Sequence, residues 1–192
     1  MELNQTTLKN EIDRLEAELL EKQKRLSDLR GQLPPEEVPD YVFKGSDEKN
    51  IKLSEMFDDK EDLIIIHNMG ISCSYCTLWA DGFNGMLQHL ESRAAFVVVS
   101  PDSPEVQAAF AKKRGWQFKM YSSEGTTFTE NMGFKRGNGY LPGVSTFHKK
   151  TDDKITQISK ANFGPGDPFC ATWHLFDLLA NGTNGWEPAF KY

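Results

Sequence analysis

A chain of 192 residues with 39% hydrophobic content supplies one sizeable core, and a formal charge of −6 with a pI near 5.3 excludes the concentrated positive field that nucleic acid or an anionic membrane requires. The opening MELNQTTLKNEIDRLEAELL disperses charges among apolar residues, unlike a secretory signal, and no later run approaches membrane-spanning length. Three cysteines are too few and of the wrong parity for a disulfide scaffold, so the expectation is a cytoplasmic protein whose cysteines do chemistry.

The first element is a long helix over residues 1–30. Leu8, Ile12, Leu15, Leu19, Leu26, Leu29 and Leu33 recur at alternating steps of four and three, with Lys22 in the remaining seam position. That seam fits a homodimer paired through residues 8–33; a helix docked on its own globular part and a mobile arm are the alternatives. Gly31 and LPPEEVPD end the helix, because proline lacks a backbone donor and biases its predecessor toward extended backbone, which gives a linker over residues 31–40. Residues 41–192 then form the main domain.

Within it, YVFKGSDEKNIKL predicts two short strands around a turn at Gly45, Ser46 and Asp47, and SEMF a brief helix. The apolar, β-branched run from Leu63 (LIIIHNM) fits a strand covered on both faces. A helix follows from Cys73 to about Ser92, with Trp79, Phe83, Leu87 and Leu90 at helical spacing and Gly82 and Gly85 weakening it by roughly 1 kcal/mol each. AAFVVVS is the next strand, and Ser103-Pro104-Glu105 starts a helix that Gly115 ends. QFKMY, GVSTFHK and DKITQIS read as further strands, the last two joined by the turn Thr151-Asp152-Asp153. Asp167-Pro168 opens a final helix to about Ala180, with Phe169, Trp173, Phe176 and Leu179 on its apolar side. The order implies an α/β fold, a mixed sheet between helices.

The chemistry concentrates in GISCSYCTLW. Cys73 and Cys76, three apart at a helix start, share one face at disulfide range, so the pair can open and close without rearranging the fold. Backbone N–H groups and the positive helix end favour an anionic sulfur, which makes Cys73 the candidate nucleophile and Cys76 the residue that resolves its mixed disulfide. The alternatives are a packed thiol pair, or a metal set completed by Cys170 and His174 in a C-x3-H pattern; that pattern lies far along the chain and lacks the compact knuckles of structural zinc. Cys170 as a core thiol is the simpler reading.

Four further residues are candidates for the site. Pro142, in LPGVSTF, can be cis and offers no N–H where a substrate backbone docks, or it is an ordinary turn proline. His67, at the C-terminal end of the buried strand, either shuttles a proton and holds Cys73 as thiolate, or bonds a backbone carbonyl. Trp79 reads as core; Asp81 reads as a proton acceptor for Cys76 or a solvated helix residue. No phosphate-cradling glycine loop appears, so no cofactor is expected beyond the cysteine pair.

With YVFKGSDEKNIKLSEMF, CSYCTLWADGFNGMLQHL, FVVVS, AFAKKRGWQFKMYSSEGTTF, LPGVSTF and HLFDLLANGTNGWEP in order, the sequence resembles a thioredoxin-like family of predicted bacterial dithiol–disulfide oxidoreductases, a domain of unknown function, over roughly residues 41–188. The resemblance implies a thioredoxin-like fold with the N-terminal hairpin extension of peroxiredoxin relatives, Cys73 and Cys76 as the redox pair, and Pro142 as the loop proline beside it. Ser74-Tyr75 stands where thioredoxin has Gly-Pro, and Ser72 where a Trp usually precedes the first cysteine. The expected activity is thiol–disulfide exchange with a protein or small-molecule substrate and a thiol or reductase that recycles the pair. A peroxiredoxin-like thiol peroxidase ranks second, because Cys76 has Cys73 rather than a hydroxyl residue at minus three and no upstream proline. A redox-sensing or protein-binding module without turnover is the third reading.

Overall fold

The computed structural model of the chain describes residues 4–47, 49–150 and 154–192. The chain divides into two compact units, Met1–Pro35 and Glu36–Tyr192.

The first unit is the long helix α1 (Gln5–Gly31), where the heptad pattern places it. Asn4 caps it, its side-chain oxygen accepting the Thr7 N–H at 2.9 Å. None of its residues is buried, and the seam residues from Leu8 to Leu29 are exposed.

The second unit has a thioredoxin-like fold built on an eight-stranded mixed sheet. Its elements in chain order are β1 (Glu36–Glu37), β2 (Val42–Lys44), β3 (Asn50–Lys52), a 3-10 turn (Leu53–Phe57), β4 (Asp62–His67), α2 (Ser74–Gly85), α3 (Leu87–Arg93), β5 (Ala95–Ser100), α4 (Pro104–Arg114), β6 (Lys119–Ser122), α5 (Phe128–Asn131), β7 (Lys135–Arg136), β8 (Gly139–Tyr140), β9 (Gly143–Lys149), β10 (Ile155–Asn162) and α6 (Ala171–Asp177). The sheet runs β1-β10-β9-β4-β5-β6-β2-β3, with β7 and β8 in a separate ribbon. β4 is parallel to β5 and β5 to β6; the other pairs are antiparallel. The hairpin extension is β2 against β3, with Val42 opposite Lys52.

Alternation along the central strands assigns each face its own core. Leu63 and Ile65 of β4 and Val97 and Val99 of β5 join Phe43, Phe57, Phe128, Phe134 and Phe147 on one face. Ile66 of β4 and Phe96 and Val98 of β5 join Cys76, Trp79, Phe83, Phe163 and Trp173 on the other.

Several boundaries differ from the sequence expectations. The single helix from Cys73 breaks at Met86, which has φ −110° and ψ 9°, directly after Gly85. The expected linker carries β1, because Glu36 and Glu37 pair with Gln157 and Thr156. Ser103 is the N-cap residue of α4 as expected, but its hydroxyl makes no capping bond and donates to Glu105 at 2.5 Å instead, while Gly115 closes the helix at φ 74°. The last helix starts at Ala171 rather than at Asp167. The Asp167 carboxylate accepts the N–H groups of Gly164 and Phe169, so Asp167 and Pro168 are spent in a turn. α6 ends at Asp177, and Leu179, expected on the apolar side, is exposed. The turn at residues 151–153 lies outside the described residues.

Candidate redox site

β4 ends at His67, and Asn68 to Cys73 carries the chain from the sheet edge to α2. Asn68 extends the parallel ladder with its N–H on the Val99 carbonyl at 2.8 Å, and its side-chain oxygen takes the Gly70 N–H at 2.8 Å. Gly70 has φ 109°, and a Cβ there would stand 3.0 Å from both carboxylate oxygens of Asp102. Asp102 in turn accepts the Ile71 N–H at 2.9 Å and the Ser100 hydroxyl at 3.3 Å. Asn68, Gly70 and Asp102 thus fix the loop that delivers Cys73. Sequence reasoning missed all three as site residues. Gly70 after a buried strand was the one available signal, while Asp102 lies on another loop.

Cys73 sits at the N-cap of α2, where its half-buried sulfur accepts the Cys76 N–H at 3.0 Å. Its carbonyl takes the Thr77 N–H at 3.1 Å and the Thr77 hydroxyl at 3.0 Å. Cys76, one turn into the helix, is only 3% exposed, and its sulfur accepts the Met69 N–H at 3.4 Å. Both cysteines are free thiols.

The two sulfurs differ in acidity because of this placement. The Cys76 thiol, hydrogen-bonded to the Cys73 sulfur, brings Cys73 down to about 7; burial opposes the shift, and the Cys76 and Tyr75 N–H groups assist it. The same bond together with burial drives Cys76 strongly upward. The outer sulfur is the one that ionises near neutral pH, while the inner one keeps its proton. Alkylation of Cys73 by iodoacetamide is therefore expected to rise with pH through a midpoint near 7, with Cys76 unmodified across that range, as peptide mass mapping at graded pH would show. Equal rates at the two positions, or a midpoint near the free-thiol value, would contradict the asymmetry.

The remaining candidates fall in different places. Pro142 immediately precedes β9, whose Gly143 pairs with His67, so it lies level with Asn68 at the start of the Cys73 loop. Its missing N–H ends the ladder there, and its carbonyl accepts the Phe163 N–H at 2.9 Å. The Leu141–Pro142 bond is trans, not cis. His67 corrects an expectation: it shares strand parity with Leu63 and Ile65 and therefore faces the core opposite Cys76. Its ring stacks on Phe134 at 4.0 Å and Phe128 at 5.4 Å, and its Nε2 lies 2.9 Å from the Ser145 hydroxyl. Burial and, secondarily, the Lys160 cation push its pKa down to about 3. A neutral ring on the far face does not hold Cys73 as thiolate; the Cys76 thiol and N–H do.

Asp81 is likewise not a free proton acceptor. It is ion-paired with Arg114 and accepts the Trp116 indole N–H at 2.7 Å, tying α2 to α4. Trp79 is buried, as read, against Phe163 at 5.3 Å. Cys170 is buried, and the His174 Nε2 lies 3.0 Å from the Asp167 carbonyl. Among the described residues no group of three or more His, Cys, Asp or Glu is placed to hold a metal ion, and no helix is long and apolar enough to cross a membrane. A groove of about 390 Å³ lined by Ile71, Phe110, Lys113, Arg114, Phe190 and Lys191 opens beside the cysteine loop.

Comparison with known proteins agrees with this architecture. A chloroplastic peroxiredoxin Q from Gentiana triflora is 27% identical over 138 residues, 71% of this chain and 61% of the relative, so the chain spans less than two thirds of that protein. The structure is similar to a peroxidoxin, BcpB, from Mycobacterium tuberculosis (TM-score 0.54, 25% identity, 67% of this chain and 84% of that one). It is also similar to a peroxiredoxin-like protein from Aquifex aeolicus (TM-score 0.53, 18% identity, 67% and 74%). The family described as a bacterial protein of unknown function, DUF899, matches residues 5–190, and the chain belongs to it.

Proposed function

We propose that the chain is a thiol–disulfide oxidoreductase in which Cys73 attacks and Cys76 resolves. The observation that carries this reading is the asymmetry of the pair: a half-buried, acidified sulfur at a helix N-terminus and a buried, protonated one a turn away.

The Cys73 thiolate attacks one sulfur of a substrate disulfide, forming a Cys73–substrate disulfide and expelling the other sulfur as a thiolate. That bond consumes the Cys73 charge and with it the interaction that holds the proton on Cys76. Cys76 then loses its proton to the departing thiolate or to water, supported by the Met69 N–H. It attacks Cys73, and the second substrate sulfur leaves reduced. Two electrons have passed to substrate and one disulfide has formed in the protein; an external thiol or dithiol reductase returns it. Pro142, level with the loop and lacking an N–H, leaves room for a substrate backbone beside Cys73. The chemistry suits a reducing compartment such as the cytoplasm, and α1 is proposed as a homodimer element through residues 8–33.

The similarity to peroxiredoxins supports a second reading, a thiol peroxidase in which the Cys76 sulfur attacks a peroxide oxygen and becomes a sulfenic acid as water or an alcohol leaves. The burial and upward-shifted pKa of Cys76, which disfavour its thiolate, rank this behind exchange. Equilibration against a glutathione series, followed by alkylation and mass analysis with Cys170 as internal reference, tests the first reading. A reversible two-electron transition confined to Cys73 and Cys76 is expected; a pair reduced throughout would overturn it. Oxidation of Cys76 by peroxide far faster than a free thiol, in a Cys73→Ser chain, would instead establish the peroxidase.

A further inference from the structure

Building on the self-pairing proposed for α1, we infer that two copies pair antiparallel. Ile12, Leu19 and Leu26 occupy heptad positions a, and Leu8, Leu15, Lys22 and Leu29 positions d. The flanking g positions hold Glu11, Glu18 and Arg25; the e positions hold Lys9, Glu16, Gln23 and Arg30. None is buried, and all but the partly covered Glu18 and Arg30 are exposed on one continuous helix, so the seam and both its flanks are available to a second chain.

In a parallel, in-register pair each g residue meets the e residue five positions on in the second copy. Glu11 then meets Glu16 and Arg25 meets Arg30, each twice, and the two Lys22 side chains share one core layer. Every charged flanking pair is repulsive. In the antiparallel pair with the helices fully overlapped, Ile12 stands opposite Leu29 of the second copy, Leu15 opposite Leu26 and Leu19 opposite Lys22. Glu18 now meets Arg25 twice along one flank of the seam, Glu16 meets Gln23 twice along the other, and the one repulsion, Lys9 with Arg30, falls at the two ends of that second flank. Each Lys22 packs its stem beside a leucine and lies within a turn of Glu16 of the second copy, rather than against its own image. The intrahelical ion pairs of Arg14 with Glu11 and Glu18 are exposed and present in either arrangement, so they do not alter the comparison.

The orientation decides where the globular units leave the pair. Gly31 of one copy stands level with residue 10 of the other, so the two exits are about 30 Å apart along the axis, against side by side in a parallel pair.

The test uses the full chain. Light scattering of the unmodified protein is expected to give twice the monomer mass; a monomer at all accessible concentrations removes the self-pairing reading itself, and the orientation with it. For orientation, an Ile12→Cys, Leu29→Cys double variant is oxidised and its linked peptides identified by mass. The two positions are about 26 Å apart within one helix, so a link between them is intermolecular. Links of position 12 to 29 are expected; links of 12 to 12 and 29 to 29 would overturn the inference while leaving the dimer intact. An Arg25→Glu chain, with the core untouched, supplies an independent sign. The antiparallel pair sets Glu against Glu18 and weakens association about tenfold. A parallel pair sets Glu against Arg30 and tightens it, and that result also overturns the inference.

Discussion

A Cys73→Ser chain is expected to lose disulfide-reductase turnover on the order of a thousandfold, while Cys76→Ser retains the first chemical step and accumulates as a mixed disulfide with substrate. The difference follows from where the proton sits. Cys73 is the sulfur that is ionised near neutral pH and partly open to solvent, and no other described group replaces it, because Cys170 is buried and His67 is on the far face. Cys76 lies one turn deeper, so its loss spares attack and removes resolution. Turnover of a small disulfide, with mass analysis of the trapped species, separates the two steps. Comparable activity in Cys73→Ser and wild type would sink the assignment of nucleophile; equal loss of both the first step and resolution in Cys76→Ser would show that a serine hydroxyl does not replace the Cys76 thiol as the donor that acidifies Cys73.

The largest effect on stability is expected from Gly143→Ala. A Cβ at this position would run into the Phe134 ring and stand 2.5 Å from the Ala161 carbonyl oxygen of the neighbouring strand. A backbone carbonyl in a paired ladder has little freedom, since Gly143 is registered against both Asn162 and His67. Phe134 is itself fully buried and stacked on the buried His67 ring, so moving it disturbs the core around it. The overpacking is expected to cost roughly 3 kcal/mol or more, which for a unit of this size lowers the melting temperature by on the order of 10 °C. Gly164→Ala is the matched control, since nothing lies within 4 Å of a Cβ there. Thermal unfolding of both variants checks it, and equal melting temperatures would show that β9 can yield where the packing says it cannot.

The sequence was most readable where one physical requirement dominates a segment. LIIIH and AFVVVS are strands because a run apolar on both faces fits the interior of a parallel sheet, and the paired cysteines sit at the helix start that backbone donors favour. The hairpin of β2 and β3 and the glycine end of α4 were legible for the same reason. The functional details were harder to read because they depend on partners far along the chain. Asp81 looked like a free carboxylate until Arg114 and Trp116 met it. Asp102 carried no motif, yet it holds the Ile71 N–H. His67 marks an inference that was available: counting alternate residues from Leu63 assigns it to the face away from α2. The early end of α6 reflects a carboxylate satisfied locally by turn N–H groups, a competition that periodicity alone does not register.

The two-residue strand β1 has a consequence for how this protein survives at high concentration. β10 would otherwise be an outermost strand eight residues long, with a row of unspent donors and acceptors open to any passing polypeptide. Glu36 and Glu37 cover part of that row and place two carboxylates on the rim, one of them paired with Lys154. Another molecule approaching the rim meets negative charge where it seeks hydrogen bonds. A sheet margin of this kind discourages the edge-to-edge stacking from which fibres grow.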